Sequence, residues 1–164
     1  MALAVVTGAS RGLGFENAKG LAALGHDIVM IAKDQSRLSL AQQSLQRHYP
    51  NQHFTTYAVD LEDAHATRAT VELIAKQQQT PEIMILAHGV MSEKMSKTLK
   101  TTDAEWRRVL SINLDSVLSI VNGLAPSMVE ARKGRIIIYS ACLGRMSGPG
   151  NAGGLAPYRI SKAG

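Results

Sequence analysis

Apolar and polar positions alternate in blocks along this chain, and the blocks predict strands and helices in turn. The stretches between the short apolar runs repeat apolar residues at helical spacing, as at Leu38, Ala41 and Leu45. Uninterrupted apolar strands that alternate with helices are typical of a parallel sheet covered on both faces. The pattern therefore predicts an α/β fold with a doubly wound parallel sheet. Five apolar runs have the length of buried strands: 3–6, 28–32, 54–59, 83–87 and 136–139.

A long apolar stripe between the fourth and fifth runs predicts a fourth helix that is buried over much of its surface. Asn113 falls on this stripe, and a buried amide needs hydrogen-bond partners. The stripe is broad for a helix with one buried face, so part of it is expected to meet another surface. Its apolar members are Trp106, Val109, Leu110, Leu114, Val117, Leu118 and Val121.

Length and composition favour one cytoplasmic domain. The chain has 164 residues, of which 45% are hydrophobic and 19% are charged, enough for one core. No stretch approaches the roughly 18 apolar residues of a membrane span, and the N-terminus lacks the basic leader of a signal peptide. The single Cys142 cannot form an internal disulfide and is expected to be a small buried hydrophobe.

The net charge of +5 raises the question of an anionic partner. Lysine and arginine are scattered, and one Trp and two Phe offer few stacking platforms, which argues against nucleic acid. A cofactor that carries phosphate would use some of this charge.

The stretch "VVTGASRGLG" carries the most specific local signal. Gly8, Gly12 and Gly14 follow the first strand at the mouth of the first helix, where missing side chains let a pyrophosphate approach the backbone. A tight turn alone would explain one or two of these glycines; three favour a dinucleotide site. The other turn residues expected at the cofactor are Ser10, Arg11 and Leu13.

Near the C-terminus, "YRISK" places Tyr158 and Lys162 four residues apart, on one face of a helix. An ammonium beside a phenol favours the phenolate, so the pair is a candidate proton donor. With the TGxxxGxG turn, this YxxxK motif resembles the short-chain dehydrogenase/reductase family over nearly the whole chain. The resemblance implies that residues 1–164 form a Rossmann-type dinucleotide-binding domain, incomplete at its C-terminal side. Members of the family continue past YxxxK, so we expect a C-terminal truncation and an uncovered fifth strand.

The resemblance also implies roles for four further residues. Asp60 and Leu61 match positions beside the adenine, and Gly89 permits close approach of the cofactor. Asn113 matches an asparagine that holds a water linked to the lysine. Asp60 is also expected to suit the N-cap of the helical segment from Asp63 onward, which is compatible with the adenine role.

Charge near the second strand favours NADP over NAD. An acid that binds the ribose 2′-OH is expected about 20 residues after the glycines, but Ala32 occupies that position. Lys33 and Arg11 could instead flank a 2′-phosphate. Asp34 leaves an acid nearby, and Lys33 also fits a solvated loop charge.

Two departures from the family pattern bear on activity. The fourth strand ends in "LAHG" instead of NNAG, so His88 is either an acid or base, or a loop histidine that lines the cofactor cleft; the second is preferred. After the fifth strand, Ser140 aligns with the first family serine and Ala141 with the carbonyl-polarising one. Ser140 would need a bulge or a loop shift to replace the missing hydroxyl.

The resemblance implies hydride transfer between NADP and a small carbonyl or alcohol substrate, with Tyr158 as general acid at the cofactor. It also implies that Lys162 lowers the pKa of the tyrosine and binds the nicotinamide ribose, and that Asn113 continues a proton relay. The alternative is a non-catalytic dinucleotide-binding or interaction module that has lost its serine. The full-length form is expected to be a homo-oligomer without a metal. The substrate cannot be deduced from these residues.

Overall fold

A five-stranded parallel sheet in the order β3-β2-β1-β4-β5 forms the centre of the computed structural model, which describes residues 2–93, 97–145 and 154–164. The chain runs outward from β1 to β3, then crosses β1 to continue on its other side, so the sheet has a switch point between β1 and β4. The strands are β1 (Leu3–Thr7), β2 (Asp27–Ala32), β3 (Phe54–Ala58), β4 (Pro81–Leu86) and β5 (Arg135–Ile138). The α-helices in the described ranges are α1 (Gly12–Ala23), α2 (Gln35–His48), α3 (Ala64–Gln77), α4 (Asp103–Leu110), α5 (Ser116–Glu130) and α6 (Ala156–Ala163).

Helices cover both faces of the sheet, which confirms the doubly wound fold. On one face α1 and α2 bury Ala18, Leu38 and Leu45 against strand residues such as Val6. On the other face α3 and α5 bury their own apolar residues against β1, β2 and β4. The apolar residues that recur at helical spacing in α2 therefore form its buried face.

Each predicted apolar run contains a strand, with limits that shift by one or two residues. The largest shift is at β4, which begins at Pro81, because backbone pairing extends into the polar residues before the apolar run. Asp27 likewise pairs with Leu3 at the start of β2. Apolarity marks the buried part of a strand, whereas hydrogen bonding sets its ends.

The predicted fourth helix is continuous from Asp103 to Glu130, but a π-helical turn at Ser111–Asp115 separates α4 from α5. By length and composition alone this helix could cross a membrane, which the sequence argument did not foresee. Ile120 and Leu124 are buried in the core, so this part of the helix serves the sheet. Length and composition are therefore weak grounds for a membrane span here.

The β5 edge is open, as expected for an uncovered fifth strand. Ile136, Ile137 and Ile138 are 37%, 42% and 55% exposed, and among the described residues β5 pairs only with β4. Cys142 follows this strand and is exposed, so the expectation of a buried hydrophobe is wrong.

Candidate active site and cofactor cleft

Parallel strands bring their carboxyl ends to one edge of the sheet, and the residues expected at the site follow those ends. The glycine turn follows β1, Lys33 follows β2, Asp60 follows β3, and Gly89 follows β4. Ligands of open α/β sheets bind at this edge, in the crevice at the switch point. The topology therefore makes this edge, near the β1–β4 switch point, the candidate site.

The glycine turn has the backbone that its sequence predicts. Gly8 and Gly12 have φ of +66° and +56°, a region that favours glycine. A Cβ on Gly14 would overlap the carbonyl of Gly8, so α1 starts in direct contact with the turn. A Cβ on Gly12 would meet nothing within 4 Å. The turn is therefore closed on its packed side and open at the helix N-terminus.

The flanks of this turn are exposed. Arg11 is the extended N-cap residue of α1 and is exposed, while Ser10 is half-buried. Leu13 is 62% exposed. The backbone N–H of Ala9 donates to the carbonyl of Ile31 at 3.2 Å, which ties the turn to the end of β2.

Lys33 and Asp60 form an ion pair with 2.5 Å between Nζ and Oδ2. The hydrogen bond to Asp60, then the charge of that carboxylate, raises the pKa of Lys33. Burial would raise the pKa of Asp60, but hydrogen bonds from Lys33 and from the Glu62 backbone outweigh it, and the net shift is downward. Lys33 is thus not a lone solvated charge, and an anion at this position would compete with Asp60 for it.

Asp60 does not cap α3. The N-cap is Asp63, whose Oδ1 accepts from the backbone N–H groups of His65 and Ala66 at 2.9 Å. Asp60 lies two residues beyond β3 and accepts from Glu62 N instead. The N-cap interpretation of Asp60 is wrong, because the N-cap residue lies three residues later and the helix begins at Ala64. Leu61 beside it is buried at 8% exposure.

Asn113 lies in the π-helical turn with every amide hydrogen paired. Its Nδ2 donates to the Val90 carbonyl and to Ser161 Oγ, both at 2.9 Å, and its Oδ1 accepts from Val90 N at 2.8 Å. Ser161 Oγ in turn donates to the Tyr158 carbonyl at 2.8 Å. The asparagine therefore fastens both the β4 loop and α6.

Lys162 and Asn113 converge on Gly89. A Cβ on Gly89 would lie 3.3 Å from Lys162 Nζ and 3.4 Å from Asn113 Oδ1. The ammonium also donates to the Tyr139 carbonyl at 2.8 Å. Burial lowers the pKa of Lys162, which is half-buried. A side chain at position 89 would crowd this cluster, so glycine keeps it accessible.

Tyr158 lies on the first turns of α6, four residues before Lys162. Its side chain is partly exposed, and within the described ranges its hydroxyl has no hydrogen-bond partner. The helix starts after Leu155, which is buried and has a φ of +60°. This left-handed residue costs about 1–2 kcal/mol, so the surrounding packing holds α6 in place against local strain.

The hydroxyl of Ser140 is bonded to the backbone of α6. Its Oγ donates to the Lys162 carbonyl at 2.6 Å, so its one proton is used by the backbone of α6. Ala141 has no hydroxyl to offer. Both residues border an open cavity of about 510 Å³ beside Lys162.

His88 is buried at 9% exposure and does not line an open cleft, contrary to the preferred sequence interpretation. Its Nδ1 lies 2.6 Å from Thr7 Oγ1 and its Nε2 lies 2.8 Å from Ser116 Oγ. Burial, and to a smaller extent the charge of Lys162, lowers the pKa of His88 to about 4. The imidazole is therefore neutral near pH 7.

Sequence reasoning missed the partners that hold these residues. Thr7, Ser116 and Ser161 are all buried polar residues bonded to His88 or Asn113. Tyr139 links two elements, because its carbonyl accepts from Lys162 and its hydroxyl accepts from Asn17 of α1 at 2.9 Å. A signal existed for Thr7 and Ser116, since each is a polar residue within an apolar pattern.

Two glycines at this edge of the sheet leave features that suit a dinucleotide. Gly12 leaves open space at a helix N-terminus, where backbone N–H groups favour phosphate. The missing side chain of Gly89 leaves the Lys162 ammonium and the Asn113 amide oxygen uncrowded. Among the described residues no group of three His, Cys, Asp or Glu side chains could hold a metal ion.

This chain belongs to the short chain dehydrogenase family, whose model matches residues 2–164. It is 28% identical over 162 residues to the 3-oxoacyl-acyl-carrier-protein reductase FabG of Escherichia coli strain K12, covering 99% of this chain and 62% of that protein. It is 27% identical to gluconate 5-dehydrogenase of Gluconobacter oxydans, covering 98% of this chain and 60% of that protein. The chain thus spans about three-fifths of the length of these relatives.

Solved structures share the fold. L-sorbose reductase of Gluconobacter frateurii, complexed with NADPH and L-sorbose, superposes with a TM-score of 0.87 at 24% identity, covering 99% of this chain and 59% of that one. A short-chain dehydrogenase of Sphingobium yanoikuyae in complex with NADPH gives 0.87 at 24% identity, covering 99% and 61%. These likenesses confirm the Rossmann-type sheet.

Proposed function

We propose that this chain binds NADPH and serves an oxidoreductase that transfers a hydride between the nicotinamide and a small carbonyl or alcohol compound. The observation that carries the proposal is the convergence of Lys162 Nζ and Asn113 Oδ1 on Gly89, at the same sheet edge as the open Gly12 turn. Family membership supports the reaction type. The expected domain, residues 1–164, contains all of these groups.

The proposed roles of the residues in binding the cofactor and donating the proton follow from their positions. Gly8, Gly12 and Gly14, with Ser10, Arg11 and Leu13, form the turn proposed to receive the pyrophosphate, and Asp60 and Leu61 flank the adenine. The bound nicotinamide supplies or accepts the hydride. Tyr158 donates the proton to the substrate oxygen from its hydroxyl, which has no competing partner among the described residues. Lys162 and Asn113 hold the Gly89 loop and α6 in register for that transfer.

Titration of the chain with NADPH, followed by cofactor fluorescence, tests binding directly. We expect saturable binding that Gly89→Val abolishes, because the larger side chain would crowd Lys162 Nζ. Leu118→Ala, at a 62% exposed position on α5 away from the cleft, is the matched control and should bind as the wild type does. Absence of binding by the wild-type chain would contradict the proposal.

Cofactor preference is expected to follow the Lys33–Asp60 pair. Lys33→Asp should weaken NADPH binding on the order of tenfold or more and leave NADH binding unchanged or tighter, because it replaces a phosphate partner by a repelling charge. Asp60→Asn frees Lys33 and should raise the ratio of the NADH to the NADPH dissociation constant. The ratio cancels any shared loss of adenine contacts. Equal affinities for both cofactors in the wild type and both variants would refute the NADP assignment.

Tyr158→Phe is expected to lower carbonyl reduction by at least about 100-fold with NADPH affinity retained, since only the proton donor is removed. The measurement is the loss of NADPH absorbance with a 3-oxoacyl-CoA and with L-sorbose as probes, compounds of the kinds that the relatives' names carry. Ser140→Ala should have little effect, because its hydroxyl serves the Lys162 carbonyl. A large loss with Ser140→Ala and none with Tyr158→Phe would reverse these roles.

A second candidate function is a dinucleotide-binding module without catalysis. Two observations favour it: Ala141 carries no hydroxyl, and the hydroxyl of Ser140 is bonded to the Lys162 carbonyl. Loss of one polarising group typically costs on the order of 100-fold, so weak turnover is compatible with the first candidate. NADPH binding without turnover of any probe, unchanged by Ala141→Ser, would establish the module.

Assembly and location follow as proposals from the surface. Leu118 and Val129 on α5 are 62% and 74% exposed, and a cavity of about 480 Å³ borders Trp106 and Leu110 on α4. This face suits a second copy in a homo-oligomer of the full-length form. Separately, the predicted location is the cytoplasm, and neither nucleic acid nor a membrane is proposed as a partner. Sedimentation at increasing concentration tests the first point.

A further inference from the structure

His88 is the one polar side chain of the "LAHG" stretch, and its hydrogen bonds have a defined direction. Thr7 Oγ1 already accepts from the backbone N–H groups of Ala87 at 3.1 Å and of His88 at 3.4 Å. Its own proton therefore points at His88 Nδ1, 2.6 Å away. The imidazole accepts at Nδ1 and must carry its proton at Nε2.

The hydrogen bonds from Thr7 through His88 to Ser116 form a relay, and its second half ends at the π-helical turn. Nε2–H donates to Ser116 Oγ at 2.8 Å, and the Ser116 hydroxyl donates to the Ile112 carbonyl at 2.7 Å. Ile112 and Ser116 bracket Asn113. The relay therefore connects the end of β1, through the end of β4, to the turn that carries Asn113.

A second connection joins the same two segments. Val90 stands two residues after His88 and exchanges two backbone hydrogen bonds with the Asn113 amide. Two attachments fix both the separation and the rotation of the π-helical turn against the β4 loop, whereas one would leave a hinge. The neutral imidazole suits this task, because a proton on Nδ1 would displace the one that Thr7 donates.

We propose that His88 is a positioning residue, which sets the placement of Asn113 and the Gly89 loop through the directed relay from Thr7 to Ser116. The proposal rests on the proposed function for the role of Asn113 in the cofactor site. His88 itself does not face the cleft, so it acts on that site only through the turn and the loop.

Two variants separate hydrogen bonding from packing. His88→Phe fills the space without a polar group, and His88→Gln retains an amide donor of similar reach for Ser116. We expect His88→Phe and Ser116→Ala to shift the Asn113 side-chain amide resonances and to raise the NADPH dissociation constant on the order of tenfold, as for a lost buried hydrogen bond. His88→Gln should recover most of both. His65→Ala, at an exposed histidine of α3, is the matched control.

The results separate the positioning role of His88 from the proposed binding of NADPH. Folded His88→Phe and Ser116→Ala chains with wild-type Asn113 resonances would overturn the positioning role. If the wild type does not bind NADPH, the proposed function fails, while the Asn113 resonances still test the relay. If His88→Phe does not fold, Ser116→Ala and the imidazole nitrogen shifts of the wild type decide: a proton on Nδ1 in place of Nε2 would refute the relay.

Discussion

Gly14→Ala is expected to destabilise the chain on the order of 3 kcal/mol or more, because the new Cβ would overlap backbone atoms that cannot rotate away. It would overlap the Gly8 carbonyl oxygen and lie 2.6 Å from the Gly8 carbonyl carbon and 2.8 Å from the Thr7 oxygen. Relief requires α1 to move off β1, which would also open the glycine turn. Urea unfolding followed by circular dichroism measures the loss.

Gly12→Ala is the matched control within the same turn. Gly12 has a φ of +56°, so alanine costs about 1–2 kcal/mol of strain, but its Cβ meets no atom within 4 Å. We therefore expect a folded chain that binds NADPH at least about tenfold more weakly, because the methyl group occupies the open mouth of α1. Equal destabilisation by the two substitutions would contradict the division of the turn into a packed side and an open side.

The sheet could be predicted from the sequence because buried strands and helices show apolar patterns within short stretches of the chain. Runs such as 28–32 are apolar on both faces, and helices such as α2 show their buried side as a period. The glycine turn was also local, since Gly8 and Gly14 act within a few residues of each other. Strand limits were less certain because pairing at Asp27 and Pro81 depends on neighbouring strands.

The interior of the candidate site could not be predicted in the same way. Thr7 and His88 are 81 residues apart, and Asn113 and Ser161 are 48 apart. Nothing in the sequence near His88 indicates that two hydroxyl groups enclose it, so the sequence alone favours a loop residue at the cleft. The π-helical turn was likewise hidden, because the apolar stripe runs through it without interruption.

The Lys33–Asp60 ion pair shows a second limit of prediction from sequence, which is that contacts between neighbouring strands are not visible in it. Each residue was assigned to the cofactor site separately, and the pair emerges only when β2 and β3 lie side by side in register. An exposed pair of this kind contributes at most about 1 kcal/mol to stability. In the proposed cofactor site its consequence is for selectivity, since a 2′-phosphate would have to compete with the Asp60 carboxylate for Lys33.

Acidification from pH 7 to pH 4 is expected to lower the free energy of unfolding by about 3 kcal/mol through His88 alone. The pKa of His88 is lowered from 6.5 to about 4, first by burial and then by the charge of Lys162. Below pH 6.5 His88 binds a proton in the unfolded chain, whereas in the folded chain it stays neutral until the pH nears 4. The contribution of the neutral imidazole is thus complete above pH 6.5 and is lost progressively as the pH falls towards 4.

Urea unfolding of the wild type and of His88→Gln at pH 7, 6, 5 and 4.5 isolates the contribution of His88. It is the difference between the two chains in how steeply the free energy of unfolding falls with decreasing pH. The glutamine variant does not titrate at position 88, so its stability should fall less steeply between roughly pH 6.5 and 4.5. At pH 7 it should be less stable by about 1–3 kcal/mol, the cost of an imperfectly satisfied buried network. Carboxylates such as Asp60, whose pKa is lowered, lose their contribution mainly below this window and do so in both chains. Parallel pH profiles for the two chains would show that His88 takes up its proton in the folded state near its ordinary pKa, and that the buried relay does not hold the imidazole neutral.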